Sequence, residues 1–178
     1  MLAYVVLLIA LLSRLLPPLL HLTPMNFTAV GGSLLFFGAR RPRWQSAVAV
    51  VALMVTDYLL TVYAYHYAFH VSGYLVTWAW YAGVCLLGSS FLKRVTVLRV
   101  ALGAVASATS FFVLSNFVVW TGHLYAHTAA GLGACYVSAL PFYRNDLVST
   151  TLVAGVLFGL PVLAARLVQP ASAQGQAV

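Results

Sequence analysis

Six apolar runs, nearly free of charged residues, take up most of this chain and restrict the folds it can adopt. They cover residues 2–20, 24–39, 44–62, 73–92, 100–120 and 147–167. Only 6% of the 178 residues are charged, whereas about a quarter of a soluble domain is charged. The runs are continuous rather than alternating, which is typical of membrane-spanning helices and not of barrel strands. The sequence therefore predicts an all-α integral membrane protein with six transmembrane helices.

The six runs follow one another closely, so residues 1–168 are predicted to form a single six-helix membrane domain. Residues 169–178 are small and polar, and we predict a disordered C-terminal tail there. The segment Thr128–Leu140 is apolar but has only about 13 residues, too few to span a bilayer. We therefore expect a short re-entrant or interfacial helix between the fifth and sixth transmembrane helices.

The positive charges are grouped in a way that indicates topology. Six of the nine cationic residues lie in two short loops, Arg40, Arg41 and Arg43 in the first and Lys93, Arg94 and Arg99 in the second. Cytoplasmic loops of membrane proteins carry an excess of lysine and arginine. Both loops follow even-numbered spans, so six spans place the N- and C-termini in the cytoplasm as well. This grouping is explained by a lipid bilayer, and it is a poor footprint for nucleic acid.

Two charges lie well within the predicted spans, Arg14 in the first and Asp57 in the third. Ionisable groups inside a membrane are costly and are usually paired or functional. Each lies about 12 or 13 residues from the cytoplasmic end of its span, roughly 18–20 Å at 1.5 Å per residue. Equal depth predicts an ion pair, and such a pair can also form the floor of a cavity.

All five histidines fall in or beside the three loops that this topology places outside: His21, His66, His70, His123 and His127. Two pairs, His66 with His70 and His123 with His127, share a spacing that would let each pair chelate a divalent ion on a helix. Histidines and tyrosines also suit the wet interfacial layer of a bilayer, where no metal is needed. Both interpretations stay open at this point.

The densest polar and aromatic stretch, residues 110–146, predicts an external binding pocket. Asn116 lies about one helical turn below Trp120 at the end of the fifth span, where its amide must be satisfied by a neighbour or open to a cavity. The segment after it returns further polar groups to the same rim. The predicted substrate-binding residues are Asn26, Asp57, Asn116, Trp120, Tyr136 and Arg144.

The sequence argues against an enzyme. It contains no Gly-x-Ser-x-Gly and no His-Glu-x-x-His motif. An intramembrane aspartyl protease needs two carboxylates within spans, and only Asp57 is predicted to lie in one. Cys85 and Cys135 lie in apolar segments and form no metal motif. We therefore predict no catalytic residues and no cofactor.

Three segments resemble those of a family of small, uncharacterised bacterial membrane proteins. They are Met25-Asn26-Phe27-Thr28, Ser115-Asn116-Phe117-Val118-Val119-Trp120, and Gly131-Leu132-Gly133-Ala134-Cys135-Tyr136 through Leu140-Pro141-Phe142. That family in turn resembles the substrate-binding S components of energy-coupling-factor (ECF) vitamin transporters. The resemblance implies six helices in the bacterial inner membrane, cytoplasmic termini, and an outward-facing pocket for a vitamin or related micronutrient.

These observations predict a substrate-binding membrane protein of the S-component type, which takes up a small micronutrient. The partners that the resemblance implies are a small-molecule substrate and an energising membrane module with its ATPases. One alternative is a divalent metal permease that uses His66, His70, His123 and His127. Another is a membrane assembly factor that transports nothing.

Overall fold

The computed structural model describes residues 1–19 and 27–168. Within these ranges the secondary structure is helical, and the α-helices are α1 Leu2–Leu19, α2 Val30–Arg40, α3 Ser46–Leu59, α4 Leu75–Phe91, α5 Val97–Trp120 and α6 Ala129–Val168. A 3₁₀ turn, Arg43–Gln45, precedes α3, and a π-helical turn, Leu60–Ala64, extends it. The predicted all-α fold is confirmed. The predicted tail, residues 169–178, lies outside the described residues.

Membrane insertion is indicated by the length and composition of the helices. In the described part of the chain, three helical segments are long and apolar enough to cross a membrane: Arg43–Ala64, Val97–Trp120 and Ala129–Val162. Leu2–Leu15 and Leu75–Phe91 are apolar helices of shorter length. These three segments indicate a membrane protein. The total number of spans depends on whether the two shorter apolar helices also cross the bilayer.

The predicted short helix between the fifth and sixth spans is not a separate element. α6 runs without a break for 40 residues and includes Pro141. Thr128 starts it, because its Oγ1 accepts a hydrogen bond from the Gly131 N–H at 3.1 Å. The sequence prediction ended the short helix at Leu140 and began the sixth span at Leu147. The helix continues between them because a proline inside a membrane helix is tolerated when neighbouring groups satisfy the backbone. At about 60 Å, α6 is twice as long as the hydrocarbon core is thick.

Consecutive helices run antiparallel, so their connections collect at two ends of the bundle. At one end, Arg43 Nε donates to Ser89 Oγ near the end of α4 at 3.3 Å. At the same end, Tyr4 near the start of α1 donates to Gln45 Oε1 at 2.9 Å. We call this the basic end, made of residues 1–4, 40–46 and 91–99. The opposite, histidine end comprises residues 60–74 and 121–128.

The short helix α2 is the most buried element of the bundle. Leu34, Leu35 and Phe37 have no exposed surface. Near its start, Gly31 packs so closely on Ser107 of α5 and Thr150 of α6 that a side chain there would touch both. Ser107 and Thr150 lie near the middles of their helices. α2 therefore begins at mid-bundle and runs from there to the basic end.

Candidate functional site

Asp57 is the centre of a buried polar network that joins α1, α3 and α4. Only 2% of its surface is exposed. Its Oδ1 accepts hydrogen bonds from Arg14 Nη2 at 2.5 Å and from the Tyr81 hydroxyl at 3.3 Å. Its Oδ2 accepts one from Trp78 Nε1 at 2.9 Å. The predicted Arg14–Asp57 ion pair is confirmed, and Trp78 and Tyr81 complete the set of donors that a buried carboxylate needs.

The backbone becomes irregular three residues after Asp57. α3 widens into the π-helical turn one step after Leu59, and π turns inside helices often mark functional sites. Thr61 lies in this turn, donates to the Asp57 carbonyl at 2.7 Å, and shares a 2.5 Å hydrogen bond with the Tyr74 hydroxyl. The turn thus links the backbone carbonyl of Asp57 in α3 to Tyr74, just before the start of α4.

Arg14 has bonding capacity that the network does not use. Its Nη2 binds Asp57, but Nη1 is buried and finds no acceptor in residues 1–19 and 27–168. A buried donor on a charged group is costly to leave unpaired. Such a group in a native structure calls for a partner, and residues 1–19 and 27–168 do not supply one. Arg14 Nη1 is therefore the strongest candidate contact for a ligand.

Stacked aromatic rings lie beside this network at the histidine end. Phe69, from the loop before α4, stacks on Tyr74 with ring centres 4.9 Å apart and planes 16° apart. It also faces Trp78 at 6.3 Å and 27°, and Tyr58 of α3 meets its edge at 5.2 Å. We call Tyr58, Phe69, Tyr74 and Trp78 the aromatic cover. Trp78 belongs both to the aromatic cover and to the Asp57 network. A displacement of Phe69 would therefore disturb the hydrogen bond between Trp78 and Asp57.

Three predicted site residues come together elsewhere, between α5 and α6 at the histidine end. The Asn116 amide donates to the Phe112 carbonyl of its own helix at 2.7 Å. Trp120 Nε1 donates to the Ala126 carbonyl at 3.1 Å, and the Tyr136 hydroxyl donates to the Val113 carbonyl at 2.7 Å. Trp120 thus joins α5 to the loop that follows it, and Tyr136 joins α6 to α5, whereas the amide of Asn116 bonds within α5.

The remaining predicted site residues are distributed differently. Asp57 lies in the network of α1, α3 and α4 rather than beside Asn116, Trp120 and Tyr136. Arg144 is exposed on α6. Asn26 and His21 lie outside the described residues. The structure thus groups three of the predicted residues at one interface and Asp57 at another.

Asp146 is a buried acid that the sequence analysis assigned to an external loop. It lies inside α6, is 8% exposed, and accepts a hydrogen bond from Thr150 Oγ1 at 3.3 Å. The bundle therefore holds two carboxylates within helices, and the count used against an aspartyl protease was wrong. The two acids nonetheless differ from a catalytic dyad, because Asp57 is bound to an arginine and such dyads share one proton.

The histidine pairs do not adopt the helical geometry that chelation at this spacing requires. His66 has a positive φ of 56°, and the chain from there to His70 is not helical. His123 and His127 lie in the turn between α5 and α6, where His127 Nε2 is 2.9 Å from the Gly122 carbonyl. Across residues 1–19 and 27–168, no three His, Cys, Asp or Glu side chains are grouped so that they could hold a metal ion.

Sequence analysis missed Trp78, Tyr81, Phe69 and Tyr74, since aromatic residues near a span end also suit the bilayer interface. The sequence spacing could have indicated two of them: Trp78 and Tyr81 are three residues apart and so share one face of a helix. Both side chains carry a hydrogen-bond donor that needs an acceptor inside the membrane, and Asp57 was the one acid predicted to lie in a span.

Comparisons with known proteins give one match. A model described as a family of unknown function (DUF6580) matches residues 1–172. No curated protein and no solved structure matches the chain.

Proposed function

The chain belongs to the family of unknown function DUF6580, and we propose its function from the site: a substrate-binding membrane protein of the S-component type. In this proposal it captures a vitamin or related small micronutrient at the histidine end. It works by binding and reorientation and performs no covalent chemistry. Its partners are the small-molecule substrate and, as the resemblance to S components implies, an energising membrane module with ATPases.

The observation that carries the proposal is the buried, unused Nη1 of Arg14. A structural ion pair needs a single good contact, and Asp57 already provides it through Oδ1. The second guanidinium nitrogen remains available for an acceptor atom that arrives from outside the described chain. Hydrogen bonds to charged groups are stronger than those between neutral groups, so one such contact can orient a small ligand.

The aromatic cover supplies the apolar part of the proposed site. Ligand sites are mostly apolar, with a few well-placed polar groups that fix orientation. The Phe69 ring lies nearly parallel to Tyr74 and Trp78, so a planar ligand that displaced Phe69 would find two ring faces to stack on. A planar organic molecule with a carboxylate or carbonyl acceptor fits both features.

The proposed topology has six spans, with both termini and both basic loops in the cytoplasm of a bacterial inner membrane. Its support is that the N-terminus and the two arginine- and lysine-containing loops share one end of the bundle. The positive-inside rule then assigns that end to the cytoplasm. The Arg14–Asp57 network lies nearer the opposite end, which faces the outside.

The decisive experiment identifies small molecules that purify with the protein and compares two matched variants. Arg14→Lys keeps the charge opposite Asp57 but removes the second nitrogen. Arg94→Lys makes the same change at an exposed residue of the basic end. We expect Arg14→Lys to stay folded and to retain at least about tenfold less ligand, because one charge-assisted hydrogen bond is lost. Arg94→Lys should match the wild type, as measured by mass spectrometry of the extracted ligand per mole of protein.

Equal ligand retention in the two variants would contradict this site. The metal permease makes a different prediction, namely thermal stabilisation by a divalent cation that is lost in His66→Ala with His70→Ala. That result, with no organic molecule retained by the wild type, would replace the proposed function.

A further inference from the structure

A long apolar groove lies between the start of α5 and the C-terminal part of α6, near the basic end of the bundle. Its volume is about 580 Å³, and its lining includes Val97, Val100, Ala104, Gly155, Phe158 and Gly159. The groove exists because Gly155 and Gly159 have no side chains: a Cβ at either position would meet nothing within 4 Å. The Gly-x-x-x-Gly pattern, which often marks a tight helix contact, is here left without a helix of the described chain.

The length and the lining of the groove suit an extended hydrocarbon chain. The groove follows α6 from Thr151 to Val162, about 16 Å at 1.5 Å per residue. Most of its lining residues are apolar, including Val100, Ala104 and Phe158. A single acyl chain therefore fits lengthwise between α5 and α6.

Positive charge lies at the mouth of the groove. Val95, Thr96 and Val97 line it, and the two residues just before them, Lys93 and Arg94, are both exposed. The chain has only two acidic residues, Asp57 and Asp146, and both are buried within helices away from this end. The α5 N-terminus opens at the same place. Thr96 Oγ1 caps it by accepting from the Arg99 N–H at 3.2 Å, and the positive end of the helix dipole there also favours an anion.

From this juxtaposition we propose that the α5–α6 groove is a binding site for one anionic phospholipid. An acyl chain lies along Gly155 and Gly159, and the phosphate contacts Lys93, Arg94 and the start of α5. Basic pockets between membrane helices on the cytoplasmic side are known to suit such headgroups. The inference does not depend on the proposed substrate, because the groove and the Arg14–Asp57 network lie at different ends of the bundle.

The acyl-chain contact is tested by filling the groove. Gly155→Leu with Gly159→Leu places side chains in open space, so folding should be preserved. Gly133→Leu is the matched control, since Gly133 is also in α6 and also open, but at the other end. Each purified protein is titrated with dioleoyl phosphatidylglycerol and examined by native mass spectrometry. We expect the filled variant to lose at least about 90% of the bound lipid, with the control unchanged.

The headgroup contact is tested with Lys93→Gln and Arg94→Gln, which alter only exposed loop residues. The probes are phosphatidylglycerol, phosphatidylcholine and inorganic phosphate. The preference for phosphatidylglycerol over phosphatidylcholine should fall roughly 30-fold when both cations are removed, and inorganic phosphate should not compete at millimolar concentration.

Three results would overturn the proposal. One is equal lipid binding by the filled variant and Gly133→Leu. Another is full competition by inorganic phosphate, which would indicate an anion site without an acyl chain. The third is loss of a co-purifying protein, rather than of lipid, in the filled variant, which would indicate that the groove docks a partner helix.

Discussion

Asp57 carries its charge in the bundle interior because three donors on two other helices converge on it. Arg14 supplies the opposite charge, while Trp78 and Tyr81 each donate a further hydrogen bond to the carboxylate. Taking two charges out of water costs several kcal/mol per ion, about as much as their attraction returns. The pair is thus weak evidence for stability in itself, but the loss of either partner strands the other.

A double-mutant cycle tests this coupling. Arg14→Gln and Asp57→Asn should each lower the free energy of unfolding by roughly 3–5 kcal/mol, because each leaves an uncompensated buried charge. The double variant should be less damaged than the sum of the two losses. Denaturant unfolding in detergent measures all three, with Arg144→Gln as an exposed control that we expect to be neutral. If the two losses simply add, the residues do not stabilise one another.

Trp78 has two roles: its ring stacks in the aromatic cover, and its Nε1–H donates a hydrogen bond to the Asp57 carboxylate. Trp78→Phe keeps a ring for stacking but removes the N–H that binds Asp57 Oδ2. We expect a loss of about 1.5–3 kcal/mol, the usual contribution of a hydrogen bond to a charged group. Trp44→Phe is the control, since Trp44 is 72% exposed. An equal effect of the two substitutions on unfolding would show that the hydrogen bond adds nothing.

The contact between α2 and α4 depends on two glycines. A side chain on Gly38 would meet the backbone of Cys85, and one on Gly88 would meet the carbonyl of Leu35. Backbone atoms cannot move aside as a side chain can, so a larger residue at either position must push the two helices apart. This close approach is what allows a helix of only 11 residues to hold the centre of the bundle.

Two glycines of α4 give a matched test of this packing. Gly88→Ala should lower the free energy of unfolding by roughly 1–3 kcal/mol through overpacking against Leu35. Gly83→Ala makes the same chemical change where a Cβ meets nothing within 4 Å. It should be neutral or up to about 1 kcal/mol stabilising, because alanine favours helices. A Gly88→Ala variant as stable as Gly83→Ala would contradict the close approach of α2 and α4.

Hydropathy predicted where most helices lie, since apolar runs in a nearly uncharged chain have few other solutions. It failed at α6, where the prediction placed a short helix ending at Leu140 and a separate span starting at Leu147. Local sequence could not show that α5 would pack against α6 on both sides of Pro141, as Val113 does with Tyr136 and Thr109 with Tyr143. The same error moved Asp146 from the interior to a loop.

One part of the candidate site was predicted from the sequence and another part was not. The Arg14–Asp57 pair followed from equal depth alone, because charges in apolar spans seek a partner. The further partners of Asp57 depend on the rotation of α4 about its axis, and the almost uniformly apolar sequence of this helix leaves that rotation open. Tertiary packing decides it, by turning Trp78 and Tyr81 toward α3.

Taken across the bundle, charge is distributed unevenly: both cationic loops lie at one end, and four histidines lie in the described loops at the other. This polarity follows from the antiparallel order of the helices, and it makes the orientation in a membrane testable. The exposed loop positions Pro42, Tyr67, Lys93 and His123 sample both ends without disturbing the interior.

Cysteines introduced singly at these four positions should distinguish the two faces. The background has Cys85 and Cys135, both buried, replaced by alanine. Treatment of intact cells with an impermeant maleimide should label the cysteines at positions 67 and 123 but not those at 42 and 93. All four should react once the cells are opened. Labelling at position 42 or 93 in intact cells would contradict cytoplasmic basic loops.

The start of α2 at mid-bundle has a consequence for what can leak through the protein. The N-terminus of a helix carries a partial charge of about +0.5, and here it lies against Ser107 and Thr150, near the middles of α5 and α6. A positive potential at that depth opposes the entry of cations and protons, as the ends of half-helices do in aquaporin-type channels. If the bundle takes up an organic solute as proposed, it would therefore do so while conducting no measurable current, and so would not dissipate the proton-motive force of its membrane.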